Sequence, residues 1–184
     1  MSNFAREMAF YTAYHQENTN VWIHVFGVPL ITFTAFVPLA WLELFSVSGV
    51  PVTAATLLYL YSVQYYLRTD LLFGSIATVL YGALLFAAHL VAAEGYVLGA
   101  VVFAAGQIIG WTSQIYGHLH YEGNKPAFFE SVYQSFISAP LFIIADLCFH
   151  YGIKSEVQDK IHQELIASGK LRKEPGNFYK AQRA

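Results

Sequence analysis

Long apolar runs separated by short polar breaks dominate the chain. Runs of this length are typical of helices that cross a membrane, because about 20 apolar residues span the hydrocarbon core of a bilayer. Three consecutive runs contain no Asp, Glu, Lys or Arg. The pattern therefore predicts a polytopic membrane protein, whose candidate helices are residues 21–45, 50–67, 71–93, 95–117 and 131–152.

The two ends of the chain follow different patterns. Phe4, Met8, Tyr11 and His15 recur at helical spacing, which predicts a short amphipathic helix lying on the membrane surface. The residues from Asn18 to Asn20 are suited to cap the next helix. The last part of the chain is rich in charge and predicts an exposed helix and a loose tail. We expect two domains, a membrane-embedded catalytic domain over residues 1–153 and a charged C-terminal helix and tail over residues 154–184.

Composition narrows the class of protein. Hydrophobic residues make up 56% of the 184 residues and charged residues 12%, with a mean hydropathy of +0.44. A water-soluble domain of this size could not easily bury so much apolar surface. We predict an all-α fold, a membrane bundle of four to five apolar helices with an amphipathic N-terminal helix and a soluble C-terminal helix. The net charge of −2 and the lack of a basic patch exclude nucleic acid as an expected partner.

The fifth run differs from the others because it carries a polar stripe. Gln134, Ser138, Asp146 and His150 recur at i+4 spacing, interrupted by Phe142. Polar side chains in such a segment should face protein or water rather than lipid. The run either crosses the membrane or re-enters it. Seven of the ten basic residues follow this run, which predicts a cytoplasmic tail, and a re-entrant fifth run would place the candidate chemistry on the same side.

The stretch GWTSQIYGHLHYEGNKPAFF, residues 110–129, closes the fourth run with polar residues. If it is helical, Gln114, His118 and Glu122 form one stripe, because residues four apart share a face. His120 then points to nearly the opposite side. The Gly-Asn pair after Glu122 predicts the end of the helix.

The histidines are the best candidates for chemistry. With four spans, the start of the first span and the end of the fourth lie on one side of the membrane, which brings His15, His24 and His118 to the same face. Imidazole suits iron, zinc, copper and nickel. The alternative is that these histidines bond lipid headgroups or one another. His89 stands alone in the third run and is interpreted as an interhelical hydrogen-bond partner.

Three motifs together resemble the membrane-bound 2-hydroxy fatty acid dioxygenase family, known from fungi and bacteria. The first is Y-H-x(4)-N-x(3)-I-H, the second W-x-x-Q-x-x-G-H-x-x-[FY]-E-x-x-x-P-A, and the third Q-S-x-x-x-A-P. The resemblance covers about residues 5–155. The matching residues are Tyr14, His15, Asn20, Ile23 and His24, then Trp111, Gln114, Gly117, His118, Tyr121, Glu122, Pro126 and Ala127, and finally Gln134, Ser135, Ala139 and Pro140.

The resemblance implies a non-haem Fe(II) enzyme that uses O2 to shorten 2-hydroxy fatty acids by one carbon in α-oxidation. It implies iron ligation by His15, His24 and His118, with His120 as a weaker fourth candidate. Glu122 would be a ligand or would fix an imidazole tautomer. The remaining candidates would contact the substrate or support the ligands, namely Asn20, Trp111, Gln114, Tyr121, Gln134 and Asp146.

The implied setting is a lipid bilayer, the inner membrane of a bacterium or the endoplasmic reticulum of a eukaryote, with the site on the cytoplasmic side. Two other classes stay open on the residues alone. One is another metal-dependent membrane hydrolase or hydroxylase that acts on lipid. The other is a non-enzymatic membrane protein such as a small transporter, in which the polar stripe of the fifth run would line a path.

Overall fold

A computed structural model of the chain describes residues 3–126 and 133–172. Ala127, from the second motif, and the tail from residue 173 onward lie outside the described residues. Helices account for most of the described chain, which confirms the all-α class. In chain order the elements are α1 Asn3–Ala13, α2 Asn18–Ala40, β1 Glu43–Val47, β2 Val50–Thr53, α3 Ala54–Thr69, α4 Leu71–Ala93, α5 Tyr96–Gly117, a first π-helical segment His118–Glu122, a second π-helical segment Gln134–Ser138, α6 Ala139–His150 and α7 Ser155–Ala167.

The long helices confirm the membrane-protein class by their length and composition. Three helical stretches are long and apolar enough to cross a membrane, namely Asn18–Ala40, Leu71–Ala93 and Tyr96–Glu122. A fourth span results if Ser135–His150 and Ser155–Ala167, which meet at a bend of 111°, form one broken span; a re-entrant loop is the other arrangement of such a pair. Helix α3 is apolar too, but its 16 residues measure only about 24 Å.

The second apolar run was predicted to be one helix. It begins instead with the second strand of a β-hairpin. Strands β1 and β2 pair antiparallel, and Val47 lies opposite Val50. Ser48 and Gly49 between them both have positive φ, 51° and 81°, as a two-residue hairpin turn requires. Ser48 and Gly49 lie in the predicted break between the first two runs, but the strands on either side were not predicted, because short apolar segments do not separate strand from helix. Thr53 ends the hairpin and caps α3 by accepting a hydrogen bond from the Thr56 amide.

The chain divides into two compact units, residues 27–112 and residues 1–26 with 113–184. In the first of these, α3 and α4 pack side by side. Small residues allow other close contacts, since a Cβ added to Gly106 would lie 2.3 Å from a Thr34 methyl carbon. The ring of His89 bonds Thr53 Oγ1 through Nε2 at 3.1 Å and Leu85 O through Nδ1 at 2.9 Å. His89 is thus a hydrogen-bond partner, as interpreted, but its bond joins α4 to Thr53 at the end of β2 rather than to another helix.

The other unit is built around α6, which is almost completely buried. Pro140 lies in its first turn, where a missing N–H costs nothing. Helix α1 packs against α6 and α7, and the rings of Phe4 and Tyr11 lie 6.2 and 5.3 Å from that of Phe142. The apolar face of α1, which we expected to lie on the membrane surface, is thus covered by protein. The boundary proposed after residue 153 stays a prediction.

Candidate metal centre

Three histidines from separate segments meet in the unit formed by residues 1–26 and 113–184. His15 lies in the short turn between α1 and α2, His24 lies in the second turn of α2, and His118 begins the first π-helical segment. All three are buried, with 5%, 4% and 2% of their surface exposed. The prediction that these three residues lie close together is confirmed.

The three imidazoles face one common point. Their ring centroids lie 4.4 Å apart for His15 and His24, 4.7 Å for His15 and His118, and 4.9 Å for His24 and His118. The rings meet at 73° to 82°, so edges rather than faces approach. One ligand atom of each residue lies within 4.8 Å of the other two, and in the part of the chain that the structure describes no other group of His, Cys, Asp or Glu side chains offers this arrangement.

Backbone carbonyls orient two of the rings. His15 Nδ1 donates to Tyr11 O at 2.8 Å, and His24 Nδ1 donates to Asn20 O at 2.9 Å, each one helical turn earlier. A proton held on Nδ1 leaves the Nε2 lone pair free to bind a metal. The resemblance implied that Glu122 is a ligand or fixes an imidazole tautomer; for His15 and His24 the acceptor at Nδ1 is a backbone carbonyl.

The residues fit a metal ion. Among residues 3–126 and 133–172, neither His15 Nε2 nor His118 Nδ1 has a hydrogen-bond partner, although both atoms are buried. A buried polar atom without a partner costs about 1–3 kcal/mol, a cost that coordination would offset. Three neutral imidazoles are a common donor set for first-row transition metals and leave further coordination positions open.

The environment keeps His15 neutral, as ligation requires. Burial lowers the pKa of His15 well below its ordinary value of 6.5, and the nearby rings of His24 and His118 lower it further, while the hydrogen bond to Tyr11 raises it. A neutral imidazole can bind a metal without first losing a proton.

The first π-helical segment turns His118 and Glu122 inward together. Gln114, His118 and Glu122 are all buried, which confirms the predicted stripe. Gly117 precedes the segment in close contact with α2, since a Cβ there would lie 2.3 Å from Asn20 Oδ1. Gly123 ends the segment with a φ of 65°, as the Gly-Asn pair predicted.

Glu122 has partners other than histidine. Its Oε1 accepts hydrogen bonds from the Glu17 amide at 2.7 Å and from Asn20 Nδ2 at 3.2 Å. Its Oε2 forms an ion pair with Arg172 at 2.8 Å. The structure does not place this carboxylate in the three-histidine group, and its bond to the Glu17 amide supports the turn that carries His15.

His120 and Tyr121 lie on the other side of the segment. His120 is exposed and stacks on Tyr116 at 5.0 Å, and Tyr121 meets both rings edge-on. The structure does not bring either residue to the three buried histidines.

Two further candidates are buried in the same unit. Gln114 lies one helical turn before His118, and Asp146 lies in α6 between Phe142 and His150 on one face. Phe142 contacts Tyr11, whose ring stacks on His15 at 3.9 Å, and the rings of His150 and Trp22 lie 5.7 Å apart. The carboxyl group of Asp146 therefore lies on the face of α6 that packs toward α1 and α2. Within the described residues, Gln114 Nε2 and both carboxyl oxygens of Asp146 have no hydrogen-bond partner.

Two candidates remain, Trp111 and Gln134. Trp111 belongs to the unit of residues 27–112, where its indole donates to Gln107 Oε1 at 2.9 Å. Gln134 begins the second π-helical segment, and its side chain lies outside the described structure. Sequence reasoning missed Gln16, which lies in the same turn as His15, and Arg172, whose amide donates to Gln16 Oε1. The i+4 spacing of Tyr11 and His15 could have revealed their stacking, but nothing in the sequence links Arg172 to Glu122.

The fold and the site define a helical membrane protein with a buried three-histidine centre suited to a metal. The chain matches the family described as "2-hydroxy-palmitic acid dioxygenase Mpo1-like" over residues 1–151 and belongs to that family. It is similar to the 2-hydroxy-palmitic acid dioxygenase MPO1 of Saccharomyces cerevisiae, with 28% identity over 160 residues that cover 86% of this chain and 87% of that protein. No solved structure matches the chain.

Proposed function

We propose that this protein is an Fe(II)-dependent dioxygenase that converts 2-hydroxy fatty acids into fatty acids one carbon shorter. The observation that carries the proposal is the convergence of His15, His24 and His118, three buried imidazoles from distant parts of a chain of this family. Family membership supports an enzyme, and the donor set supports a metal with open coordination positions.

Iron at these histidines would supply one-electron chemistry for O2 and would leave room for the hydroxyl and carboxylate of the substrate to chelate. The reaction needs no other reductant, because R–CHOH–COOH and O2 give R–COOH, CO2 and H2O. The substrate supplies all four electrons that O2 accepts. The bond between the hydroxyl-bearing carbon and the carboxyl carbon breaks.

The protein's own residues hold and orient the reacting groups. His15 and His24 are fixed by their bonds to Tyr11 O and Asn20 O, which occupy Nδ1 and leave Nε2 to bind the metal. We propose that Gln114 and Asp146 bind the polar head of the substrate, because both carry buried polar atoms without a partner among the described residues.

The acyl tail belongs among the apolar helices. His24 lies near the start of the candidate span Asn18–Ala40, and His118 lies near the end of Tyr96–Glu122. Such positions favour a polar head near the membrane interface and a tail that stays in the hydrocarbon. We propose a cytoplasmic-side site in the inner membrane of a bacterium or the endoplasmic reticulum of a eukaryote.

The first test is metal content measured by elemental analysis of detergent-purified protein prepared without oxygen. Wild type should hold about one iron per chain, and His118→Ala should hold little. His120→Ala is the matched control, because His120 lies two residues away, is exposed, and should leave the iron in place.

Activity then separates the classes of function. With 2-hydroxypalmitate the wild type should consume one O2 for each shortened fatty acid, and His118→Ala should lose both iron and activity. Zinc with lipid hydrolysis would indicate a hydrolase instead. Absence of metal from both proteins, with transport impaired in the variant, would indicate a transporter.

A further inference from the structure

The chain returns to the histidine centre after α7. Gly169 has a φ of 66° and reverses the backbone, and the amides of Lys170 and Leu171 both donate to Leu165 O, at 2.9 and 3.2 Å. This turn directs the next residues toward the connection between α1 and α2. We call residues 170–172 the strap.

Gln16 binds the backbone of the strap at two points. Its Nε2 donates to Lys170 O at 2.9 Å, and its Oε1 accepts from the Arg172 amide at 2.9 Å. The amide side chain thus pairs with the peptide groups on both sides of Leu171, as a neighbouring strand would. Gln16 is buried, with 1% of its surface exposed, and it directly follows His15.

Arg172 binds Glu122 at two points. One guanidinium nitrogen lies 2.8 Å from Glu122 Oε2, and the same nitrogen donates to Glu122 O. The Glu122 side chain is fully buried, whereas that of Arg172 is 31% exposed. A buried carboxylate needs such a partner, because burying an unpaired charge is strongly unfavourable.

Hydrogen bonds of Glu122 connect Arg172 to the segments that carry His15 and His24. Its Oε1 accepts from the Glu17 amide and from Asn20 Nδ2, while Asn20 O accepts from His24 Nδ1. Glu17 ends the turn that carries His15, and Asn20 orients His24. Both histidines therefore depend on where Glu122 is held.

We infer that the strap is a positioning device for the metal centre, and that Arg172 is a positioning residue that acts through Glu122. The inference rests on the proposed function, since it assigns the strap to the metal site proposed above. Family matching extends over residues 1–151 and does not include the strap.

Three variants of the full chain test this. Arg172→Met removes the charge and both contacts with Glu122. Arg172→Lys keeps the charge but carries it as an ammonium on a shorter side chain, so it should fall between Arg172→Met and wild type. Lys170→Met is the matched control, because it removes a charge from the same strap while the backbone oxygen that binds Gln16 remains.

The first readout is hydrogen exchange of the Glu17 amide in metal-free protein, with α3 amides as the reference for global stability. Loss of a charge-assisted contact should speed this exchange at least about tenfold in Arg172→Met. The second is Co(II) titration followed by the visible d–d bands, which report coordination geometry. Affinity should fall about 10–100-fold, as is typical when residues supporting metal ligands are changed.

The inference is supported if Arg172→Met shows faster exchange and weaker, spectrally altered Co(II) binding while Lys170→Met behaves like wild type. Equal values in Arg172→Met and Lys170→Met would overturn it and leave the metal site standing. If wild type binds no Co(II), the proposed site fails and so does the strap's role in metal binding, while the exchange data still show whether Arg172 restrains the turn. If Arg172→Met does not fold, the same comparison is made with Arg172→Lys, and equality with Lys170→Met overturns the inference.

Discussion

His15 combines burial, a backbone hydrogen bond and a stacked neighbour in one residue. Tyr11 supplies two of these, since its carbonyl accepts from Nδ1 and its ring stacks at 3.9 Å. A side chain restrained in this way loses little further freedom when it binds a metal. The i+4 spacing of an aromatic residue and a histidine thus prepares a ligand.

The lowered pKa of His15 predicts how stability changes with pH. Below 6.5 the unfolded chain binds a proton that folded His15 does not, so the metal-free protein should lose stability as pH falls from 7 to 5. One such group contributes at most about 1.4 kcal/mol per pH unit. Thermal unfolding in detergent should show a shallower pH dependence in His15→Gln. Parallel pH profiles of the two proteins would contradict this.

Gly117 carries a second prediction at the scale of one residue. Gly117→Ala would place a Cβ 2.3 Å from Asn20 Oδ1, so the Asn20 side chain must move and disturb its hydrogen bond to Glu122. We expect a loss of about 1–3 kcal/mol in stability, typical of overpacking, together with a lower iron content. Leu119→Ala is the control, because Leu119 is exposed in the same segment. Unchanged iron content in Gly117→Ala would show that the contact between Asn20 and Glu122 does not support the metal site.

At the scale of elements, the first π-helical segment differs from a regular helix end in the width of its last turn. The amides of Gly123 and Asn124 both bond His118 O, so the last turn is wider than in α5 and closes on His118. Such segments are frequent at functional sites because they redirect side chains within a continuous helix. The stripe from Gln114 to Glu122 was predictable, whereas this widening was not.

Thr53 joins the hairpin to α3, and its substitution tests the contribution of this junction to stability. Its hydroxyl caps the helix by accepting from the Thr56 amide and also bonds His89 Nε2. Thr53→Ala should therefore cost about 1–2 kcal/mol of stability, in the range of lost caps, while Thr53→Ser should retain most of it. Iron content should not change in either variant, since these contacts lie within the unit of residues 27–112. Equal stability of the two variants would argue against the cap.

Particular residues show what the sequence could and could not reveal. The meeting of His15, His24 and His118 was predicted from four spans that return the chain to one side of the membrane, yet only three helices up to Glu122 are long and apolar enough to cross, because α3 has 16 residues. The hairpin around Ser48 and Gly49 was not predicted, since apolar composition alone does not separate strand from helix in a short run. The ion pair of Glu122 and Arg172 depends on tertiary packing that no local pattern encodes.

At the scale of the whole molecule, the bilayer acts as solvent for both the protein and its proposed substrate. A substrate that enters from the bilayer has already left water, so its tail gains little more by moving between apolar helices. Each CH2 group favours the bilayer over water by about 0.8 kcal/mol, a factor of about four. Chain length should then control delivery to the protein rather than chemistry at the histidines.

Kinetics in nanodiscs would show this for 2-hydroxy acids of increasing length. The KM expressed per volume of solution should fall about fourfold per added CH2, while the KM expressed as mole fraction in the bilayer and the kcat should stay nearly constant. If the mole-fraction KM also depends on the length of the acyl chain, a groove between the helices recognises the acyl tail. The wild type serves as its own control, because the reacting head is the same in every substrate and only the tail changes.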